Sequence, residues 1–197
     1  MAKKDYTHTY TIVFAGVGGQ GNISAIIILG EALIQKGFAV HSSETHGLGQ
    51  RGGKVQTILR FCEQDIAPIP TLGTADLIVA TEKSAVLDVL KFANPDKKTK
   101  IVIDSYKNEI VEVEYPDDEY IDRCLQENSD ELYIIPATNI AETKVGNIKT
   151  ANTVIIGYLL KFIPLNPEDL KKSLEQRYKG KILELNIRAL EEGINFR

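Results

Sequence analysis

Apolar positions fall in two rhythms along this chain. Short β-branched and aromatic runs dominate the first two thirds, and a 3.6-residue spacing takes over in the last third. Residues 10–15 open as a strand. Residues 21–36 carry an apolar helical face and stop at Gly37, a natural place for the left-handed residue that ends a helix. Residues 38–43 read as the next strand, with a loop to Gly53. In "KVQTILRF", Val55, Thr57, Leu59 and Phe61 alternate with Gln56, Ile58 and Arg60, so one face is the more apolar. "DLIVAT" and "KIVID" are nearly continuous apolar runs, as strands covered on both faces should be. A helix is expected over residues 82–92, stopped before Asn94-Pro95. An edge strand is expected over residues 110–114, a helix over 117–126 and a strand over 132–137.

The C-terminal part is helical. Ala151, Val154, Ile155, Tyr158, Leu159 and Phe162 share one helix face, yet Ile156, Leu160 and Ile163 make the opposite face apolar too. Such a helix is either fully buried or part of a subunit interface. Asn166-Pro167-Glu168-Asp169 is a strong helix start, with Asn as N-cap, Pro first in the helix and acids in the first turn. Ile182, Leu185, Ala189 and Leu190 give the final helix its expected buried stripe. Alternating strands and helices predict an α/β fold: a Rossmann-like, doubly wound, mainly parallel sheet with a helical C-terminal segment, in a single domain over residues 1–197.

Composition narrows the function classes. The formal net charge is −4 and no basic block occurs, which argues against non-specific nucleic-acid binding. The longest aliphatic run, residues 25–29, is far short of the roughly 20 residues that span a bilayer. The basic pair near the N-terminus has no apolar stretch behind it, so a cytoplasmic location and no membrane partner are expected. Cys62 and Cys124 form no C-x-x-C pair, so neither a zinc ribbon nor a ferredoxin-type cluster is encoded, and both read as inert thiols.

"GVGGQG" satisfies G-x-G-x-x-G with Gly16, Gly18 and Gly21, plus Gly19, between a strand and an apolar helix. Gly16 allows the sharp turn, Gly18 the approach of backbone N–H groups to an oxyanion, and Gly21 tight packing of helix on strand. The helix start adds open donors and a partial positive charge. An empty strand-to-helix turn has the same sequence, so the motif alone leaves both readings open. Glu44 lies at about the 20-residue spacing that a ribose-binding acid requires.

The segment that starts at Glu44 is unusual. "ETHGLGQRGG" combines four glycines with Glu44, His46, Gln50 and Arg51. Glycine at this density lets backbone approach a ligand or another chain. If the first and second strands lie side by side, both loops face one crevice. Arg51 could clamp a phosphate or carboxylate, or brace the loop on Glu44. His46 could shuttle a proton or hold a turn. These two are the catalytic candidates, and no metal-ligand set is apparent.

The two loops together resemble the gamma-type subunit of 2-oxoacid:ferredoxin oxidoreductases, nearest to the beta subunit of the indolepyruvate branch. The match continues through "ADLIVATEKSAVL", "IPATNIAETKVGNIKTANTVIIGYLLKFIPLNPEDL" and "NIRALEEG", so it covers nearly the whole chain. The resemblance implies a heteromeric enzyme whose alpha subunit carries thiamine diphosphate and iron-sulfur (4Fe-4S) clusters. That enzyme would convert an aryl pyruvate to aryl-acetyl-CoA and pass electrons to ferredoxin. This chain, without such motifs, would be inactive alone and would help hold coenzyme A or cover the active site. The cofactor-binding positions so implied are Gly16, Gly18, Gly19, Gln20, Gly21, Asn22, Glu44, Thr45, His46, Gly47, Gln50, Arg51, Gly52 and Gly53. Asn147 and Asn152 match a further family segment. Other readings are the gamma subunit of a pyruvate, 2-oxoglutarate or 2-oxoisovalerate enzyme, a self-sufficient NAD-dependent oxidoreductase, and a non-catalytic ligand-binding scaffold.

Overall fold

The computed structural model of the chain describes residues 6–46, 53–64, 66–67, 69–108 and 115–197, with Thr45 and His46 as backbone only. The strands are β1 (Tyr10–Val17), β2 (Ala39–His46), β3 (Lys54–Cys62), β4 (Leu77–Ala80), β5 (Lys100–Asp104) and β6 (Glu131–Ile135). They form one sheet in the order β2-β3-β1-β4-β5-β6. β1, β4, β5 and β6 run parallel, whereas β3 is antiparallel to both β1 and β2. This is the mainly parallel α/β architecture expected from the sequence. The expected strand at residues 110–114 lies outside the described residues.

Each apolar run is continuous because its two faces meet two different cores. On one face Ile12, Phe14, Leu77, Val79 and Val102 pack with helices α1 (Asn22–Gln35), α4 (Ala151–Leu159), α5 (Pro167–Arg177) and α6 (Gly180–Asn195). On the other face Val13, Ala15, Ile78, Ala80, Ile101 and Ile103 pack with residues 85–93 and with Ile121 and Leu125 of α2 (Asp118–Asn128). Alternation in a strand sends neighbours to opposite faces, so burial on both sides requires apolar residues throughout.

Four local expectations need correction. β1 and β2 are not neighbours, because β3 is inserted between them. Val55 of β3 pairs with Gly16 on one side and with His46 on the other. β2 also runs further than residue 43: Glu44 pairs with Thr57 and Thr45 with Gln56, so these residues belong to the strand. Residues 82–92 form two short 3-10 turns, Ser84–Asp88 and Leu90–Phe92. Val86, Phe92 and Val89 between the two turns are buried at every third position, which matches three residues per turn, with Ala85 buried beside Val86. Finally, the buried stripe of α6 is Asn186, Ala189, Leu190 and Gly193, while Ile182 is 58% exposed. Gly193 must face Gly157 of α4, and that contact fixes the rotation of α6.

The two-sided apolar helix is a core element: every residue of α4 from Asn152 to Leu159 is buried. α5 begins as read, with a capping box in which Asn166 and Asp169 each accept the other's backbone N–H. α3 (Ala137–Ile140) is a short helix at the end of β6 that continues into a π-helical turn.

Candidate functional site at the carboxyl edge of the sheet

β1, β4, β5 and β6 all end at one edge, and each apolar run gives way there to polar groups. β1 delivers the turn from Gly18 to Gly21. Gly19 and Gly21 have φ of 97° and 81°, a conformation that glycine adopts without strain. A Cβ on Gly16 would lie 2.1 Å from Thr81 Oγ1, 2.4 Å from Asn22 Nδ2 and 2.7 Å from Gln20 Oε1. Glycine there is a requirement of packing under the loop.

Gln20 braces the turn from within. Its Oε1 accepts from Val17 N and from Thr81 Oγ1, each at 2.8 Å. Asn152, in the first turn of α4, donates from Nδ2 to Gly21 O at 3.0 Å, which ties α4 to the loop. Asn147 caps the short turn before α4 by accepting from Lys149 N at 3.1 Å. Asn22 differs from these: it is 3% exposed, and neither its amide nitrogen nor its oxygen has a partner.

The floor beyond Thr81 is built on two buried acids. Asp104, at the end of β5, accepts from Thr138 N at 2.9 Å, Thr138 Oγ1 at 2.5 Å and Tyr106 N at 3.2 Å. Burial raises its carboxyl above the usual carboxylate range, and hydrogen bonds from Thr138, Tyr106 and Ala137 oppose that shift. Glu82 accepts from Ser84 Oγ at 2.6 Å, Ala85 N at 3.0 Å, Asn108 N at 3.3 Å and the Tyr115 hydroxyl. Burial first, and then Glu82, push the Tyr115 hydroxyl well above its ordinary value. Thus one acid holds Thr138 and Tyr106 in place, and the other holds the backbone of Asn108.

These groups enclose a cleft of about 210 Å³ between the glycine turn, Thr81, Tyr106, Asn108, Thr138 and the start of α4. A second hollow of about 290 Å³ lies on the other side of the turn, against Asn22, Ile23 and Val55. The structure therefore gathers Gly18, Gly19, Gln20, Gly21 and Asn22 around the two hollows. Gly53 touches the same turn: Gly18 N donates to Gly53 O at 2.9 Å, so the ends of the two glycine loops meet although β3 separates their strands. Glu44 is exposed on β2, one strand further out. Gly47, Gln50, Arg51 and Gly52 lie outside the described residues, as do the side chains of Thr45 and His46.

Sequence reasoning missed Thr81, Asp104, Tyr106, Asn108, Thr138 and Lys149. A signal was present for some of them. Thr81 and Asp104 end the two buried runs "DLIVAT" and "KIVID", and ligand-facing groups in open α/β sheets sit just beyond strand carboxyl ends. Among the described residues no group of three or more His, Cys, Asp or Glu could hold a metal ion, and no helix is long and apolar enough to cross a membrane.

Fold and cleft together define a Rossmann-like α/β protein with a crevice at its strand ends and a glycine turn on the crevice wall. Within that class, the chain belongs to the pyruvate ferredoxin/flavodoxin oxidoreductase family, whose model matches residues 11–196. It is a subunit of a 2-oxoacid:ferredoxin oxidoreductase, in agreement with the resemblance carried by the two loops. It is 32% identical over 191 residues to indolepyruvate oxidoreductase subunit IorB of Archaeoglobus fulgidus, covering 93% of both chains. To the common gamma subunit of the pyruvate/ketoisovalerate oxidoreductases of Thermococcus kodakarensis it is 28% identical, covering 93% of this chain and 95% of that one. The fold is shared with 2-oxoglutarate:ferredoxin oxidoreductase from Magnetococcus marinus, solved with 2-oxoglutarate, coenzyme A and succinyl-CoA bound. The TM-score is 0.74 at 20% identity, over 98% of this chain and 31% of that one.

Proposed function

We propose that this subunit serves an indolepyruvate-type enzyme and that its carboxyl-edge crevice helps hold coenzyme A. The observation that carries the substrate class is the 32% identity to an indolepyruvate oxidoreductase subunit across 93% of each chain, above the 28% to a pyruvate/ketoisovalerate gamma subunit. In the proposed reaction an aryl pyruvate loses its carboxyl carbon as carbon dioxide. The remaining acyl group joins the sulfur of coenzyme A, the thiol proton is released, and two electrons pass to two ferredoxins. Thiamine diphosphate and iron–sulfur clusters on a partner alpha subunit supply the carbanion and electron chemistry.

The residues of this chain suit a supporting role. The glycine turn offers backbone donors, and Asn22 keeps an unsatisfied amide beside it. His46, Gln50, Arg51 and Gly52 belong by sequence to the second glycine-rich segment, and in this reading Arg51 would contact an anion of the coenzyme or close the site. Gln20 supports the turn from inside.

The test is turnover by the chain alone and with its partner subunit, using coenzyme A and a viologen acceptor. Indolepyruvate and phenylpyruvate should give the highest kcat/KM, and only when both subunits are present. A preference for pyruvate, 2-oxoglutarate or 2-oxoisovalerate would overturn the substrate class. Turnover by the rigorously purified chain would overturn the division of labour.

A further inference from the structure

β6 is an outer strand of the sheet, and it lacks the features that keep an edge strand from pairing. Edges are usually blunted by charge, proline, a bulge or a covering element. β6 contains no proline, glycine or lysine. Its one charged residue, Glu131, already accepts from Lys100 Nζ and from the Tyr133 hydroxyl, the latter at 3.0 Å. The opposite edge, β2, is of the blunted kind: His41, Ser42, Ser43 and Glu44 are polar and exposed. β6 shows solvent Ile134 instead, which is 50% exposed.

The backbone limits what can pair with this edge. Ser105 N donates to Ile135 O at 2.9 Å, so Ile135 turns its main-chain groups toward β5. In a parallel ladder alternate residues bond the same neighbour. Glu131 and Tyr133 therefore also face β5, while Leu132 and Ile134 present N–H and C=O outward. No turn, loop or cap bond engages those outward groups among the described residues. The side chains alternate as well. Tyr133 packs on Tyr158 and Phe162 on one face, and Leu132 packs on the core of the other face, which Ile134 shares.

A second copy of β6 matches this pattern. A twofold axis perpendicular to the sheet at Tyr133 makes the two strands antiparallel and sets Tyr133 opposite its own copy. Leu132 then lies opposite Ile134 of the copy, and Ile134 opposite Leu132. Both outward-facing residues fall in hydrogen-bonded pairs that exchange their main-chain bonds, and Tyr133 falls in the closer, non-hydrogen-bonded pair. Each exposed Ile134 gains an apolar neighbour directly across the strands. Other registers are poorer. Sliding the copy by two residues sets Leu132 against Pro136, which has no N–H. Sliding it the other way sets exposed Asp130 against Ile134.

We infer that the free edge of β6 is a self-association surface, through which two copies of this chain join their sheets antiparallel about Tyr133. The interface is isologous, as a closed dimer requires. It leaves the carboxyl edges of the two copies pointing in opposite directions, so neither cleft is covered by the other copy's sheet. The inference does not depend on which 2-oxoacid the complex uses.

Sedimentation of the full chain should show a concentration-dependent dimer. Ile134→Lys and Ile134→Glu should each weaken it at least about thirtyfold, since the exposed half of an isoleucine is lost from the interface twice. Ile182→Lys, at an exposed position of α6, should leave it unchanged. Mixing the Ile134→Lys and Ile134→Glu chains should restore the dimer, because these positions are diagonal neighbours about 7–8 Å apart, within reach of long side chains. In a Cys124→Ser background Tyr133→Cys should cross-link on oxidation and Ile134→Cys should not, since only the pair on the axis has the spacing of a disulfide. If Tyr133→Cys fails to fold, the mixing experiment decides. A wild-type chain that stays monomeric up to roughly 100 µM, or a dimer that survives both Ile134 substitutions, overturns the inference. A monomeric chain whose Ile134→Lys variant no longer binds its catalytic partner also overturns it, and assigns the edge to a strand of that partner.

Discussion

Replacing Gly193 by alanine tests how the cleft is held in place. α4 and α6 cross where Gly193 meets Gly157. A Cβ on Gly193 would lie 1.9 Å from Val154 O, 2.9 Å from Val154 C and 3.1 Å from Gly157 Cα. Carbon and oxygen come no closer than about 3.3–3.6 Å, so the helices must part by roughly 1.5 Å. A gap of even ~0.5–1 Å forfeits about a quarter to a half of the attraction between facing atoms. Overpacking a core costs about 1–3 kcal/mol, with the upper end expected where the obstacle is backbone. Alanine's better helix propensity returns about 0.8–1 kcal/mol. The net expectation is a loss of about 2 kcal/mol, or roughly 4–8 °C in Tm for a chain of this size. Gly30 is the control, because a Cβ there meets only Leu59 Cδ1 at 3.6 Å and Val40 Cγ1 at 3.7 Å. Gly30→Ala should therefore stabilise by about 1 kcal/mol. Gly157→Ala strikes Leu190 O at 2.3 Å. Combined with Gly193→Ala it should cost less than the sum, since the helices are already apart. The 2.7 Å bond from Thr153 Oγ1 to Asn186 Oδ1 crosses the same interface and should be lost with them. Urea denaturation of the four variants measures all of this. A Gly193→Ala chain as stable as wild type would refute the close-packed crossing, and with it the fixed position of Asn152 over Gly21.

Asp104→Asn should change the pH dependence of stability in one direction. Because burial raises the folded-state pKa of Asp104, the folded chain holds its proton longer than the unfolded chain. Its contribution to stability is present below the unfolded value and is lost as pH rises through the folded one. The variant lacks this loss, so it should gain on wild type as pH rises from about 4; urea midpoints that move in parallel across that range would contradict it. Arg51→Ala in the complex should raise the KM for coenzyme A about ten- to a hundredfold if it contacts a phosphate. If it braces Glu44 instead, Arg51→Ala and Glu44→Gln should lower Tm together and leave that KM alone.

Sequence by itself determined the elements that local physics dictates. The short β-branched apolar runs "DLIVAT" and "KIVID", bounded by polar residues, read as strands buried on both faces, so β4 and β5 were legible. Asn166 and Pro167 fix the start of α5, and Gly37, with φ of 90°, ends α1 where a left-handed residue is needed. The glycine turn after β1 was legible for the same reason. Tertiary structure decided which strands are neighbours. Nothing local in residues 38–62 says that β3 returns between β1 and β2, because that pairing is set by contacts far apart in sequence. It also decided the face of α6, since two glycines meeting backbone to backbone outweigh the exposed Ile182. The cleft is the clearest case. Thr81, Asp104, Thr138 and Lys149 come from four separate segments, each ordinary when read alone. Only parallel strands ending at one edge, with the start of α4 beside them, bring these segments together around one cleft.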